Sequence, residues 1–371
     1  MVQITKDGAY DAVAADDFPA MLHTERYGHR STAFDKIISA THDHFWDPLD
    51  KKYIDFSQPF DLTKNTILPT DFFAIFHTKI GERMTEAQKI AFASQSTRWQ
   101  LSAILHGEQG ALALSASLCH ILRDPGAQEY AANQTREEAR HVTAFSAYIK
   151  SRWGTPLPCG ATLKDLLTEM VGAGEVYKKI VGMQMLVEGL AMGAFATLYQ
   201  KSQDPLLVRL CQLEMTDEAF HHKFGKIWAD RTIPKLTAEE HNLVEDWAAK
   251  CFQTLLFNLV NAEQMKVVYD SVGIDWQEAR AAIMEAFGDT QRREAMKQSA
   301  NIFRVLIKTL LNAGIITDRT KAFYGMYVDM EELKREGARM IGDDIAEDGI
   351  KYLQTINFGD KSKGQALLAA E

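Results

Sequence analysis

The sequence predicts an all-α protein, and three observations carry the prediction. No segment alternates apolar and polar residues with the period of two that a half-buried strand requires. Prolines are few, nine in 371 residues, and after residue 69 they fall between long segments rather than inside them. Those long segments repeat apolar residues at intervals of three and four, the period of a helix with one buried face.

The elements follow in order. Residues 1–75, with prolines at 19, 48, 59 and 69, read as an irregular segment wrapping a helical body. Four helices are then predicted, from about Glu82 to Leu122, Ala127 to Arg152, Glu175 to Ser202, and Pro205 to Arg231. Their separators are RDPG (123–126), WGTPLPCG (153–160) and SQDP (202–205). Asp-Pro and Pro-Gly are turn chemistry, because Pro fixes φ and Gly tolerates positive φ. Beyond Pro234 the pattern stays helical, and Thr237 with Glu240 has the spacing of a capping box. The expected organisation is a wrapping segment (1–75), a bundle (76–235) and a C-terminal helical extension packed on it (236–371).

Composition narrows the function classes. The net charge of −9 and the lack of a basic stripe argue against nucleic acid as the main partner. The four cysteines, at 119, 159, 211 and 251, form no CxxC, so a reducing compartment is expected and no thiolate metal site. The N-terminus lacks a basic-then-apolar leader, and no apolar run approaches the roughly 20 residues of a membrane span. A soluble cytoplasmic protein is the expectation.

The chemistry lies in the four predicted helices. Residues i and i+3 share a helix face, so Glu138 and His141 point together, as do Glu218 and His221. Glu108 and Glu188 each stand alone within an apolar stripe: Leu101, Ile104, Leu105, Ala111 and Leu112 around the first; Val181, Met185, Ala191, Met192 and Phe195 around the second. Burying one unpaired carboxylate costs several kcal/mol, so it protonates, finds a cation or binds metal. Glu108 and Glu138 have residue 123, at the start of RDPG, as their midpoint; Glu188 and Glu218 have residue 203, inside SQDP. In an antiparallel hairpin each lone Glu is therefore level with an ExxH, about 22 Å from the turn. Four carboxylates balance two divalent cations, and oxygen and nitrogen donors without thiolate suit iron or manganese.

With Glu108, Glu138-x-x-His141, Glu188 and Glu218-x-x-His221, the chain resembles the ferritin-like di-iron carboxylate superfamily over residues 76–230. Within it, EEARH and DEAFHH look most like the arylamine N-oxygenases and the hydroxylase subunits of bacterial multicomponent monooxygenases. The resemblance implies a four-helix core, two iron ions (or a manganese–iron pair), and O2 activation to hydroxylate, desaturate or N-oxygenate a small or acyl-type substrate. It implies that Glu137 and Asp217 each accept a hydrogen bond from the histidine of the other motif. It further implies a ferredoxin or reductase as electron donor, since no dinucleotide-binding glycine fingerprint is present, and a homodimer. Phe145, Met192 and Phe195 are expected to wall the substrate pocket.

Three departures qualify the resemblance. Phe145 stands where a radical tyrosine is common in ribonucleotide reductase small subunits, which excludes a tyrosyl radical there. Met192 replaces the threonine of the monooxygenase hydroxylases. Glu214 replaces an additional histidine ligand of the N-oxygenases; it is weighed as an extra carboxylate ligand against an exposed or salt-bridged residue. Arg140 either supports the site or makes an ordinary salt bridge. His222, the histidines of HTERYGHR (23–30) and THDHFWD (41–47), His106 and His120 read as packing and hydrogen bonding. The rival function is a ferroxidase or iron-handling protein, against which stands the length outside the four helices.

Overall fold

Two Asp-Pro turns set the frame. In a computed structural model describing residues 9–260, 262–288, 302–336, 340 and 342–359, Asp124 caps a helix by accepting from Gly126 N at 2.8 Å, with Pro125 at the first helical position. Asp204 does the same for the second turn, accepting from Leu206 N at 3.0 Å ahead of Pro205. A carboxylate satisfies an otherwise unpaired N–H while proline needs no partner, so both turns begin a helix abruptly.

We number the principal helices α1 (Asp35–Asp43), α2 (Glu86–Ile121), α3 (Pro125–Trp153), α4 (Ala161–Gly172), α5 (Val176–Lys201), α6 (Pro205–Thr232), α7 (Ala238–Val260), α8 (Ile302–Asn312) and α9 (Asp343–Phe358). Helices α2 and α3 form one hairpin, α5 and α6 the other, and α6 packs on α3. The first long helix begins at Glu86, later than predicted, because Thr85 and Gln88 close a capping box there. Thr78 caps a separate short helix, Lys79–Arg83, just before it. Helix α4 was not anticipated, although Leu163, Leu166, Leu167 and Met170 carry the helical period and are buried. Thr237 and Glu240 do close the predicted box, with Glu240 N donating to Thr237 Oγ1 at 3.3 Å and Thr237 N to Glu240 Oε2 at 2.8 Å.

Helix α5 changes its winding. From Ile180 to Val187 it is a π-helix, and Glu188 N donates to Met183 O, five residues back. Helix α6 approaches this stretch closely at Gly225, where a Cβ would lie 2.9 Å from Met185 Cγ and 3.1 Å from Gln184 O. Among the described residues Val176–Lys201 is long and apolar enough to cross a membrane, but 72% of its most apolar window is buried in the protein. It is a core helix by its surroundings.

The flanks cover the bundle. Helix α1 lies on α3 and α6, α7 on α4 and the π stretch, α8 on α5, and α9 on α6. The one strand-type bridge among the described residues is an isolated one between Ala12 and Leu122.

The apolar interior divides into two clusters, and every bundle helix crosses from one to the other. On α2 the change falls between Leu105 and Ala111, on α3 between Ala131 and Ala144. On α5 it falls between Leu186 and Met192, on α6 between Ala219 and Phe224. Each interval contains or adjoins an acid or histidine singled out by the sequence. The polar side chains thus form one layer between two dry cores.

Asp204 joins this frame to α3: Tyr148 Oη donates to it at 2.7 Å and Arg152 Nε at 2.7 Å, and it is 1% exposed. Asp204→Ala removes a cap and strands a buried guanidinium. It is expected to cost about 3 kcal/mol of stability, measured by denaturant unfolding.

Candidate metal centre

Glu108, Glu138, His141, Glu188, Glu218 and His221 meet in the polar layer. Their donor atoms fall into two buried groups, each with all its atoms within 4.8 Å of one another: Glu108, Glu138, His141 and Glu218; and Glu138, Glu188, Glu218 and His221. His141 Nδ1 lies 3.3 Å from Glu108 Oε2, 3.5 Å from Glu138 Oε2 and 3.1 Å from Glu218 Oε1. His221 Nδ1 lies 3.1 Å from Glu138 Oε1 and 3.4 Å from Glu218 Oε2. Glu138 and Glu218 therefore offer one oxygen to each group. Two cations, one in each group, could be held with Glu138 and Glu218 shared between them and Glu108 and Glu188 each serving one.

The imidazoles are oriented from behind. His141 Nε2 lies 2.9 Å from Asp217 Oδ2, and His221 Nε2 lies 2.9 Å from Glu137 Oε2. Each acid serves the histidine of the other motif, on the facing helix. With Nε2–H donated outward, a neutral imidazole would have its Nδ1 lone pair free for a metal among the carboxylates.

Gln134, which the sequence reading passed over, donates its Nε2–H2 to Glu138 Oε1 at 3.0 Å and Glu188 Oε1 at 3.1 Å. It sits one turn before Glu138 on the same face, and that register was the available signal. Arg140 bonds both oxygens of Asp217, with Nε–Oδ2 at 3.0 Å, and approaches Glu137 at 3.8 Å. It supports the site rather than the surface.

Glu214 joins neither group. Its Oε2 lies 3.0 Å from His141 Nε2, the nitrogen facing away from the other ligand-type carboxylates. Three residues before Asp217, it shares the side of α6 that reaches behind the imidazole. The expectation of an exposed residue is corrected, since Glu214 is fully buried, and neither of its carboxylate oxygens has a hydrogen-bond partner.

Phe145 and Phe195 stack at 5.6 Å, and Met192 is buried in the same cluster. His222 turns away to Thr309 Oγ1 at 3.0 Å, His106 to Leu157 O at 2.9 Å and His120 to Ala15 O at 2.7 Å. A third buried group, His44, Glu137 and Asp217, already has its cation in Arg140.

The electrostatics fit a cationic occupant. Burial pushes Glu108 up to about 8 and, with the neighbouring Glu218, holds Glu188 well above the carboxylate range. Burial also opposes ionisation of Glu138, but the facing His221 and His141 outweigh it and hold Glu138 low. Burial acts to lower His221, yet Glu138 and Glu218 raise it well above an ordinary imidazole. Buried Glu138 Oε2, both Glu218 oxygens and His221 Nδ1 have no hydrogen-bond partner. Unpaired buried donors and acceptors are costly, and here they converge on the two groups. A hard or borderline divalent cation in each group would satisfy them and replace the protons.

A helical bundle with paired carboxylate–imidazole groups able to hold metal defines the class of two-metal carboxylate proteins. The family model of the p-aminobenzoate N-oxygenase AurF matches residues 28–310, most of the chain. The chain belongs to this family, and is on that ground an O2-dependent oxygenase of the di-iron class, an oxidoreductase. The match favours the oxygenase over iron handling. No curated protein matches the chain.

Proton linkage gives a test. Glu108, Glu188, His141 and His221 all have raised pKa values in the metal-free fold. A raised group stabilises fully below its unfolded value and loses that contribution as pH rises through the folded one. Metal-free protein should therefore melt at lower temperature at pH 8 than at pH 6.5. Metal binding must expel these protons, so metal affinity should rise over the same interval. Calorimetric titration in buffers of different ionisation enthalpy measures the release, and proton-neutral binding would contradict it.

Proposed function

We propose that the chain is a di-iron N-oxygenase that transfers one oxygen atom of O2 to the nitrogen of a small arylamine, p-aminobenzoate being the first substrate to try. The family match over residues 28–310 carries this reading, and the division of Glu138 and Glu218 between the two donor groups supports the two-metal site it needs. Glu108 and His141 would complete one iron's ligands, Glu188 and His221 the other's. A manganese–iron pair would take the same donors. When bound, the metals supply the redox chemistry that O2 activation requires.

The protein's own contribution is geometric. Asp217 and Glu137 fix the imidazole tautomers. Gln134 holds Glu138 and Glu188 against each other's charge. The apolar wall of Phe145, Met192 and Phe195 would seat the substrate ring and exclude water, which protects an oxidising site from side reactions. Overall the first oxygenation consumes an arylamine, O2, two electrons and two protons, and yields an arylhydroxylamine and water. The electrons would come from a separate reductase or ferredoxin. A cytoplasmic homodimer completes the proposal.

Each terminal glutamate belongs to one group, so Glu108→Ala and Glu188→Ala should each hold about one metal fewer than the parent. Glu138→Ala, which serves both groups, should hold neither metal tightly. Elemental analysis of folded protein after dialysis reads this directly, and retention of both metals by all three variants would contradict the assignment. Iron-loaded protein given reductant, O2 and p-aminobenzoate should yield an N-oxygenated product by mass spectrometry. Accumulation of many irons per chain with no product would favour iron handling instead.

A further inference from the structure

The two donor groups differ in what stands behind them. Behind His221 there is Glu137, whose one hydrogen bond among the described residues is to that histidine, with Arg140 at 3.8 Å. Behind His141 the carboxylate of Asp217 gathers several groups. Arg140 bonds both of its oxygens. Trp46 Nε1–H donates to Oδ2 at 2.9 Å. His44 Nε2 lies 3.3 Å from Oδ1, off the line of a hydrogen bond.

Trp46 and His44 come from the N-terminal segment, and both are wholly buried. The indole plane of Trp46 lies nearly parallel to His141, 6.1 Å between centroids at 17°. Arg140 Cζ lies 5.2 Å from the centre of the Trp46 ring and 5.9 Å from that of Phe45. His44 stacks on Phe220 at 5.0 Å and 10°, on the turn of α6 that carries His221. The stacking of His44 is the packing expected of a histidine in THDHFWD, while the indole donor of Trp46 was not singled out by the sequence.

We infer that Trp46 is a positioning residue for one of the two metals: through Asp217 it fixes His141, so the position built on Glu108 and His141 depends on this indole and the position built on Glu188 and His221 does not. Three features carry this. Trp46 shares one carboxylate oxygen with His141, so the direction of its N–H helps set the direction of the imidazole. Its ring abuts both His141 and Arg140, leaving neither free to swing. His44 lies within 4.8 Å of Glu137 as well as of Asp217 and so does not distinguish the two sides, whereas the indole N–H is directed to Asp217. A carboxylate that orients a ligating histidine normally contributes a factor of roughly 10–100 in metal affinity.

The inference rests on the metal-site reading above, and one titration separates their failures. Metal-free full-length chain is titrated with cobalt(II), followed by calorimetry and by the visible ligand-field bands. The parent should bind two ions in distinguishable steps. Trp46→Phe keeps an apolar ring and removes the N–H. It should weaken one step on the order of tenfold and shift that ion's bands, leaving the other step unchanged. Glu137→Gln should affect the opposite step.

Should Trp46→Phe misfold, 3-benzothienylalanine at position 46 replaces the N–H by sulfur and keeps the bicyclic shape; the same selective loss is expected. Two unaltered steps, or equal weakening of both, would overturn the inference while leaving the metal site standing. A parent chain that binds no cobalt would overturn both.

Discussion

Four carboxylates buried within one bundle cannot all be ionised without compensating positive charge, and this constraint organises the molecule. Charge repulsion among Glu108, Glu138, Glu188 and Glu218 raises the cost of their shared burial. In the metal-free fold it is relieved by protons, on the carboxyls of Glu108 and Glu188 and on the imidazoles. Two divalent cations relieve it more completely, because they satisfy charge and unpaired oxygen lone pairs together. The raised carboxyls and the capacity for metal are thus two consequences of one arrangement.

The constraint also explains the division of the core. An apolar cluster can be repacked with modest loss when volume is conserved, but a polar layer needs every donor directed to its acceptor. Placing two dry clusters on either side lets each bundle helix be gripped above and below the layer. The ligand-type side chains are then held on rigid helices rather than loops, as a site of fixed geometry requires. The local π winding before Glu188 belongs to this compromise. It changes the angular advance of the chain by one residue over the stretch that approaches Gly225 so closely.

Legibility in the sequence tracked locality. The ExxH pairs, the lone glutamates and the turn midpoints follow from helix geometry alone, and the six side chains they selected do meet. The reciprocal service of Glu137 and Asp217 was also anticipated, though from family resemblance rather than spacing. What escaped notice depended on contacts distant in sequence or on unusual winding. Helix α4 had its period but sat inside a presumed connection. The π stretch carries no separate compositional mark. Glu214 shares a helix face with both Asp217 and Glu218, so spacing alone left its direction open. Trp46 meets Asp217 across 171 residues, and no pattern within THDHFWD reports that meeting.

The crossed arrangement of the two motifs has a further consequence. In EExxH and DExxH the first acid and the histidine lie four residues apart, yet the acid bonds the other motif's histidine. A single helix cannot complete either half: α3 supplies Glu137 to the His221 of α6, and α6 supplies Asp217 to the His141 of α3. Each imidazole is therefore oriented only once both helices are docked in register. One turn of slip between α3 and α6, about 5.4 Å, would break both bonds at once and move Glu138 and Glu218, which each face both donor groups, off their partners. Formation of the site and correct docking of the two hairpins are consequently one event, which makes a metal that binds the finished site also a stabiliser of the bundle's register.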